Sequence, residues 1–125
     1  MVMSFRENNR AIFLQIADRI CDDILSRKLL PEQRIPSVRE YAAEVEVNAN
    51  TVMRAYEYLS QSGVIFNRRG IGFFVADDAV EKITLRRRRE FLDDELYDIF
   101  KQLHLLGVTP DELSTLYNKY ITDQK

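Results

Sequence analysis

The sequence predicts a mainly α-helical fold, three helices closed by a two-stranded hairpin and followed by a pair of further helices. Apolar residues recur at three- and four-residue spacing over most of the chain, the period of a helix with one buried face. Runs of β-prone residues are confined to Val64–Phe66 and Phe73–Val75, on either side of a turn that contains glycine. Finally, 46% hydrophobic and 30% charged residues, with only four Gly and three Pro, describe a folded chain. At 125 residues it can bury about two-thirds of its unfolded surface.

The first helix is marked by two rows at four-residue spacing, Ile12, Ile16, Ile20, Ile24 and Phe13, Ala17, Cys21, Leu25, which merge into one apolar stripe. Asp18, Arg19, Asp22 and Asp23 fall between them on the solvent side. Arg27 and Lys28 suit the negative end of this helix, and Pro31 stops it. A second, short helix starts after Pro36, where Ser37 can cap the first turn and Glu40 can reach back to it; it runs to about Glu44 and buries Val38, Tyr41 and Ala42. After the brief Val45-Glu46 turn, Val47 and Asn48 supply a staple and a cap for a third helix. Its buried face is Val52, Ala55, Tyr56 and Leu59, and Gly63 terminates it in the left-handed conformation.

Two helices joined by so tight a turn form a helix-turn-helix, and the second of them is then the recognition helix. The hairpin that follows, with Asn67 to Gly72 as a basic tip, reads as a wing. Beyond Asp78 the pattern is helical again. Leu92, Leu96, Ile99, Leu103 and Leu106 recur at spacings of 4, 3, 4 and 3, a short heptad-like seam widened by Phe91, Tyr97 and Phe100. Gly107 ends that helix. Thr109, Pro110 and Glu112 open the last one with a cap, a proline at the first helical position and a capping-box acid; Leu113, Leu116, Tyr117 and Tyr120 form its apolar face. The expected division is residues 1–78, a winged helix-turn-helix, and 79–125, a helical region that pairs two chains.

Composition removes several function classes. No apolar run approaches the ~20 residues of a membrane span, and the first ten residues lack the apolar core of a signal peptide, so the expected compartment is the cytoplasm. One cysteine and one histidine leave no internal disulfide, no metal-ligand set and almost no means of nucleophile–base catalysis. Cys21 reads as a small core residue, and His104 as structural or exposed. No cofactor motif is present, and an enzyme is not expected. The net charge of −2 does not announce a nucleic-acid partner, and both parts are nearly balanced, with 10 Lys/Arg against 11 Asp/Glu up to Asp78 and 8 against 9 after it. The charge is local instead: from Asn48 to Val75 it is Arg54, Arg68 and Arg69 against Glu57 alone.

The polar face of the third helix carries Asn48, Asn50, Thr51 and Arg54, the residue types that suit a major groove. Asn reads adenine, Arg reads guanine, and Thr meets a methyl group or a phosphate. Asn48 doubles as the helix cap. Arg39, in the first turn of the second helix, can meet a phosphate together with the helix N-terminus, although Glu40 offers it a simpler ion pair. At the wing, Arg68 and Arg69 precede Gly70, so a basic tip without bulk can press against the backbone or enter the minor groove. Arg86 to Arg89 either add sequence-independent attraction to DNA or pair with Glu90, Asp93 and Asp94 on a solvated helix face, the second being favoured.

Taken as a set, Ile35-Pro36-Ser37-Val38-Arg39-Glu40, Val47 to Val52 with Arg54-Ala55-Tyr56, Leu59 to Gly63, and Arg69 to Val75 resemble the winged-helix domain of GntR-family bacterial transcription regulators. The resemblance covers about Asn9 to Val75, and the short helical remainder resembles the YtrA-like branch of that family. It implies DNA contacts by Arg39, Asn48, Asn50, Thr51, Arg54, Arg69 and Gly70, dimerisation through the C-terminal helices, and none of the large effector domains of longer branches. Two departures are Glu32, after Pro31, where the family usually has glycine, and Gly72, between wing and strand, where it usually has a small hydroxyl residue. The expected function is a repressor that binds a palindromic operator in double-stranded DNA as a homodimer, with no small-molecule effector assigned. The alternative is a winged-helix module that binds a protein, suggested by the acidic overall charge.

Overall fold

In the computed structural model, which describes residues 10–124, the chain folds in the predicted order. Three helices, α1 (Ile12–Leu25), α2 (Val38–Val45) and α3 (Ala49–Gln61), precede an antiparallel hairpin of β1 (Ile65–Arg68) and β2 (Gly72–Val75). Next come α4 (Ala79–Glu90), a π-helical segment (Phe91–Glu95), α5 (Leu96–Leu105) and α6 (Pro110–Asp123). The chain divides into two compact units between Leu85 and Arg86. Ala79 and Ile83 of α4 belong to the core of the first unit, so this division lies further along the chain than Asp78.

The core of the first unit is built from the stripes that the periodicity marks. Ile16, Ala17, Ile20, Cys21 and Ile24 of α1 meet Val52, Ala55, Tyr56 and Leu59 of α3, with Tyr41, Ala42 and Val45 of α2 and Val64, Ile65 and Val75 of the hairpin closing it. Ile12, expected in the stripe, is 45% exposed, because it occupies the first turn of α1 and extends past the core. The Tyr56 ring lies edge-on to Phe73 at 5.0 Å. Its hydroxyl donates a 2.6 Å hydrogen bond to the Pro36 carbonyl oxygen, tying α3 to the segment that leads into α2. Burial pushes the Tyr56 pKa well up, so the phenol stays neutral and remains a donor.

Helix ends follow one device. The Val64, Val47, Lys28 and Val108 amides donate to the Leu59, Ala42, Asp23 and Leu103 carbonyls, and the residue before the donor is left-handed at Gly63, Glu46, Arg27 and Gly107. Arg27 and Lys28 therefore lie beyond α1, which closes at Leu25, and do not form its last turn. Both expected capping boxes are present, Ser37 with Glu40 and Thr109 with Glu112.

The hairpin pairs Ile65 with Val75 and Arg68 with Gly72, so β1 runs two residues and β2 one residue closer to the tip than the β-prone runs suggest. A third stretch, not read from the sequence, joins β2: the Val75 amide donates to Gln33, the Ile35 amide to Phe73, and Arg34 bridges Phe74.

In the second unit, the helix expected before Gly107 contains the π-helical segment, and α5 proper begins only at Leu96. The wider π turn rotates Leu92 relative to Leu96, so the 4-3-4-3 row is not one straight α-helical stripe.

Candidate nucleic-acid interface

The first turn of α3 is set by Asn48, whose side-chain oxygen accepts a 2.8 Å hydrogen bond from the Asn50 amide. Asn48, Asn50 and Arg54 are exposed and Thr51 is half-buried. Asn50 and Arg54, four residues apart, share one face of the helix. The Arg54 guanidinium lies 4.2 Å above the Phe13 ring of α1. Stacking of this kind fixes the guanidinium plane while leaving its N–H edge free to meet two acceptors of a base. Phe13, read only as a core residue, thus also orients the arginine of the recognition face.

At the start of α2, the Glu40 amide donates to the Ser37 hydroxyl and the Ser37 amide donates to Glu40 Oε1, both at 3.1 Å. These bonds hold the Glu40 carboxyl below the usual glutamate range. The carboxylate is engaged by the cap, and no ion pair between Arg39 and Glu40 forms among the described residues. Arg39 is exposed at the second position of the helix, where side chain and free amides can face one anion.

The wing separates two arginines that are adjacent in sequence. Arg68 is the last residue of β1 and points along the outer sheet face, 4.9 Å above Phe74 and 5.5 Å above Phe66, with an ion pair to Glu32 at 3.3 Å. A hydrogen bond with Asp77 pushes the Glu32 pKa up, and the Arg68 guanidinium opposes the shift. Glu32 adopts a left-handed backbone at φ +65°, the conformation that glycine accepts without strain. The tip itself is Arg69-Gly70-Ile71, closed by a hydrogen bond from the Ile71 amide to the Arg68 carbonyl. Gly70 is left-handed at φ +80°, with open space where a Cβ would stand. The structure thus groups Arg69 with Gly70 at the tip and turns Arg68 away from them.

In the second unit, Leu96 and Leu103 are half-buried, Leu92 and Ile99 are 40% and 42% exposed, and Leu106, one residue past α5, is 78% exposed. Leu96, Phe100 and Leu103 face Val108, Leu113 and Tyr117 across an open apolar cleft of about 660 Å³, which His104 also lines. At the end of α4, Arg88 and Arg89 are exposed and Arg86 and Arg87 half-buried.

The chain matches the family model described as bacterial regulatory proteins, gntR family, over residues 13–75. It is 28% identical to the HTH-type transcriptional repressor YtrA of Bacillus subtilis, over all of this chain and 95% of that protein. A crystal structure described as a transcriptional regulator of the GntR family from Bacteroides thetaiotaomicron superposes with a TM-score of 0.80 at 53% identity, covering 92% of this chain and 100% of that one. The DNA-binding domain of AraR, solved in complex with operator ORX1, superposes at a TM-score of 0.53 and 28% identity over 61% of this chain and 92% of that one.

Proposed function

The chain belongs to the GntR family of bacterial transcription regulators, and from that premise we propose that it is a sequence-specific repressor that binds a palindromic operator as a homodimer. The carrying observation is the face of α3, where Asn50 and the stacked guanidinium of Arg54 stand exposed on a helix locked in place by the Tyr56–Pro36 hydrogen bond. Asn50 and Arg54 read base edges in the major groove, and Thr51 meets a methyl group or phosphate. Asn48 sets the helix start at the DNA surface. Arg39 and the α2 N-terminus take a backbone phosphate, and Arg69 with Gly70 brings the wing tip to the adjacent minor groove.

Dimerisation is assigned to residues beyond Leu85, through Leu92, Leu96, Ile99, Leu103 and Leu106. Their partial or full exposure supports this, because a soluble protein rarely leaves so many large apolar side chains together in water. A twofold pair of recognition helices calls for an inverted repeat. Repression is supported by the full-length similarity to YtrA, and the site of action is the cytoplasm, where the DNA is.

Selection of bound duplexes from random DNA tests the reading. The expected result is an inverted repeat with half-site centres about 10 base pairs apart or a multiple of that. On the selected site, Arg54→Ala costs about 1 to 3 kcal/mol and relaxes discrimination at one base pair per half-site. Failure to enrich any motif, with binding indifferent to salt, contradicts the proposal and favours a protein partner.

A further inference from the structure

We infer that the wing presents Arg34 and Arg69 to the DNA backbone, so that the second cation of the tip comes from the segment before α2 and not from the neighbouring Arg68. This rests on the DNA-binding reading and adds a further DNA-facing residue to it.

Arg68 is already satisfied within the molecule. Its guanidinium has the Glu32 carboxylate at 3.3 Å and lies over Phe66 and Phe74. Releasing it to a phosphate means breaking an ion pair and two cation–π interactions, and the charge it could bring is already matched by a carboxylate.

Arg34 stands differently. The Gln33 and Ile35 backbone bonds to β2 place it opposite Phe74, on the same outer sheet face as Phe66 and Arg68. Its side chain runs back along β2 toward the tip, with its guanidinium beside Gly72. A Cβ built on Gly72 would stand 2.8 Å from Arg34 Nε and 3.6 Å from Cζ. Gly72 also has φ +141°, so this position excludes a side chain on two counts and leaves a bare shelf for the guanidinium. Gly72 is the residue that follows the tip Arg69-Gly70-Ile71, so the Arg34 head group sits at the base of the tip. It is exposed and makes no ion pair among the described residues. Glu40 is an acid that feels its charge, and that carboxylate is occupied by the Ser37 cap. An exposed guanidinium with no carboxylate in ion-pair contact, next to a glycine tip, is what a phosphate row would recognise.

Salt titration separates the three arginines. The probe is a fluorescein-labelled duplex of mixed sequence, about 30 base pairs long, with binding followed by anisotropy between about 50 and 200 mM salt. For every phosphate that a protomer no longer neutralises, the steepness of log K against log salt falls by about 0.9. Arg34→Ala and Arg69→Ala are each expected to show that reduction, and Arg34→Lys, which keeps the charge, to show little. Arg68→Ala is expected to leave the slope unchanged. An unchanged slope for Arg34→Ala beside a reduced slope for Arg69→Ala overturns the inference, as does a reduction in Arg68→Ala with none in Arg34→Ala. A wild type that does not bind the duplex overturns the DNA-binding reading and the role of Arg34 with it, whereas the first two results leave that reading standing. Arg34 is exposed, and thermal melting of each variant checks that the fold is kept.

Discussion

Up to Leu85 the chain reduces Ile16, Ile20, Ile24, Tyr56, Leu59 and Val75 to 2% exposure or less. From Arg86 onward no described residue is buried, although Tyr97, Ile99, Phe100, Leu105, Leu106, Leu116 and Tyr117 are of the same kinds and stand between 42% and 82% exposed. Residue type does not separate the two regions; the number of layers does. Three helices and a hairpin enclose side chains from every direction, whereas two helices cover only the faces they turn toward each other. The first unit therefore encloses its own core, and the second leaves its outer apolar faces open.

The sharpest way to break the comparison is to empty the first core. Tyr56→Ala removes a buried ring against Phe73 and the hydrogen bond to Pro36, and is expected to cost about 3 to 5 kcal/mol in urea unfolding. A loss below about 1 kcal/mol would mean that α3 is held by something other than this core. Next comes the seam. Leu96→Asp with Ile99→Asp is expected to weaken association of two chains by at least about 2 kcal/mol, read by sedimentation, with the unfolding of the first unit unchanged. A wild type that sediments as a monomer at micromolar concentration would refute the pairing.

The two capping boxes give a smaller, matched test. Ser37→Ala and Thr109→Ala delete the same device, each at about 1 kcal/mol. In the first unit the loss should appear as a shift of the whole cooperative transition, and in the second as fraying of α6 alone, visible by amide hydrogen exchange. Global destabilisation by Thr109→Ala would show that the second unit is more tightly built than its exposure indicates.

Smallest are the acid effects, both within the first unit. Glu40 is held below the ordinary glutamate range, so its contribution to stability is present above the unfolded-state pKa and is lost as pH falls through the folded one. Glu32 is raised by its hydrogen bond to Asp77, so its contribution is present below the unfolded-state pKa and is lost as pH rises through the folded one. Glu40→Gln should flatten the acid limb of a stability–pH curve, and Glu32→Gln should steepen it. Matching responses in the two variants would show that one of the two hydrogen-bond assignments is wrong.

Local order was legible wherever it was periodic. The stripes of α1 and α3, the Ser37 and Thr109 boxes and the Gly63 and Gly107 terminators are repeated or paired signals within a few residues, and each is found at its place. The left-handed ends at Arg27 and Glu46 use the same geometry without glycine, so nothing in the residue type announced them. Pairing across distance was not legible. The Gln33–Ile35 stretch is too short for an alternation pattern, and its two bonds to β2 join residues about forty positions apart. Missing that stretch also concealed the place of Arg34 beside Gly72 and the ion pair of Arg68 with Glu32. The π-helical segment has an equally quiet signature, because Leu92 and Leu96 keep a spacing that an α-helix would also use. At the candidate interface, Asn50, Arg54, Arg39 and Arg69 stand exposed as the residue pattern suggested, but the stacking of Arg54 on Phe13 required the packing of α1 against α3.

Cys21, the one thiol in the chain, sits fully enclosed on α1. A thiol-modifying dye can reach it only in molecules where α1 has swung out of place, so the labelling rate clocks the opening of the domain from inside. Such a clock needs no engineered probe. With DNA added, the same reaction would report how far a bound duplex holds the door shut, without any knowledge of the sequence it reads.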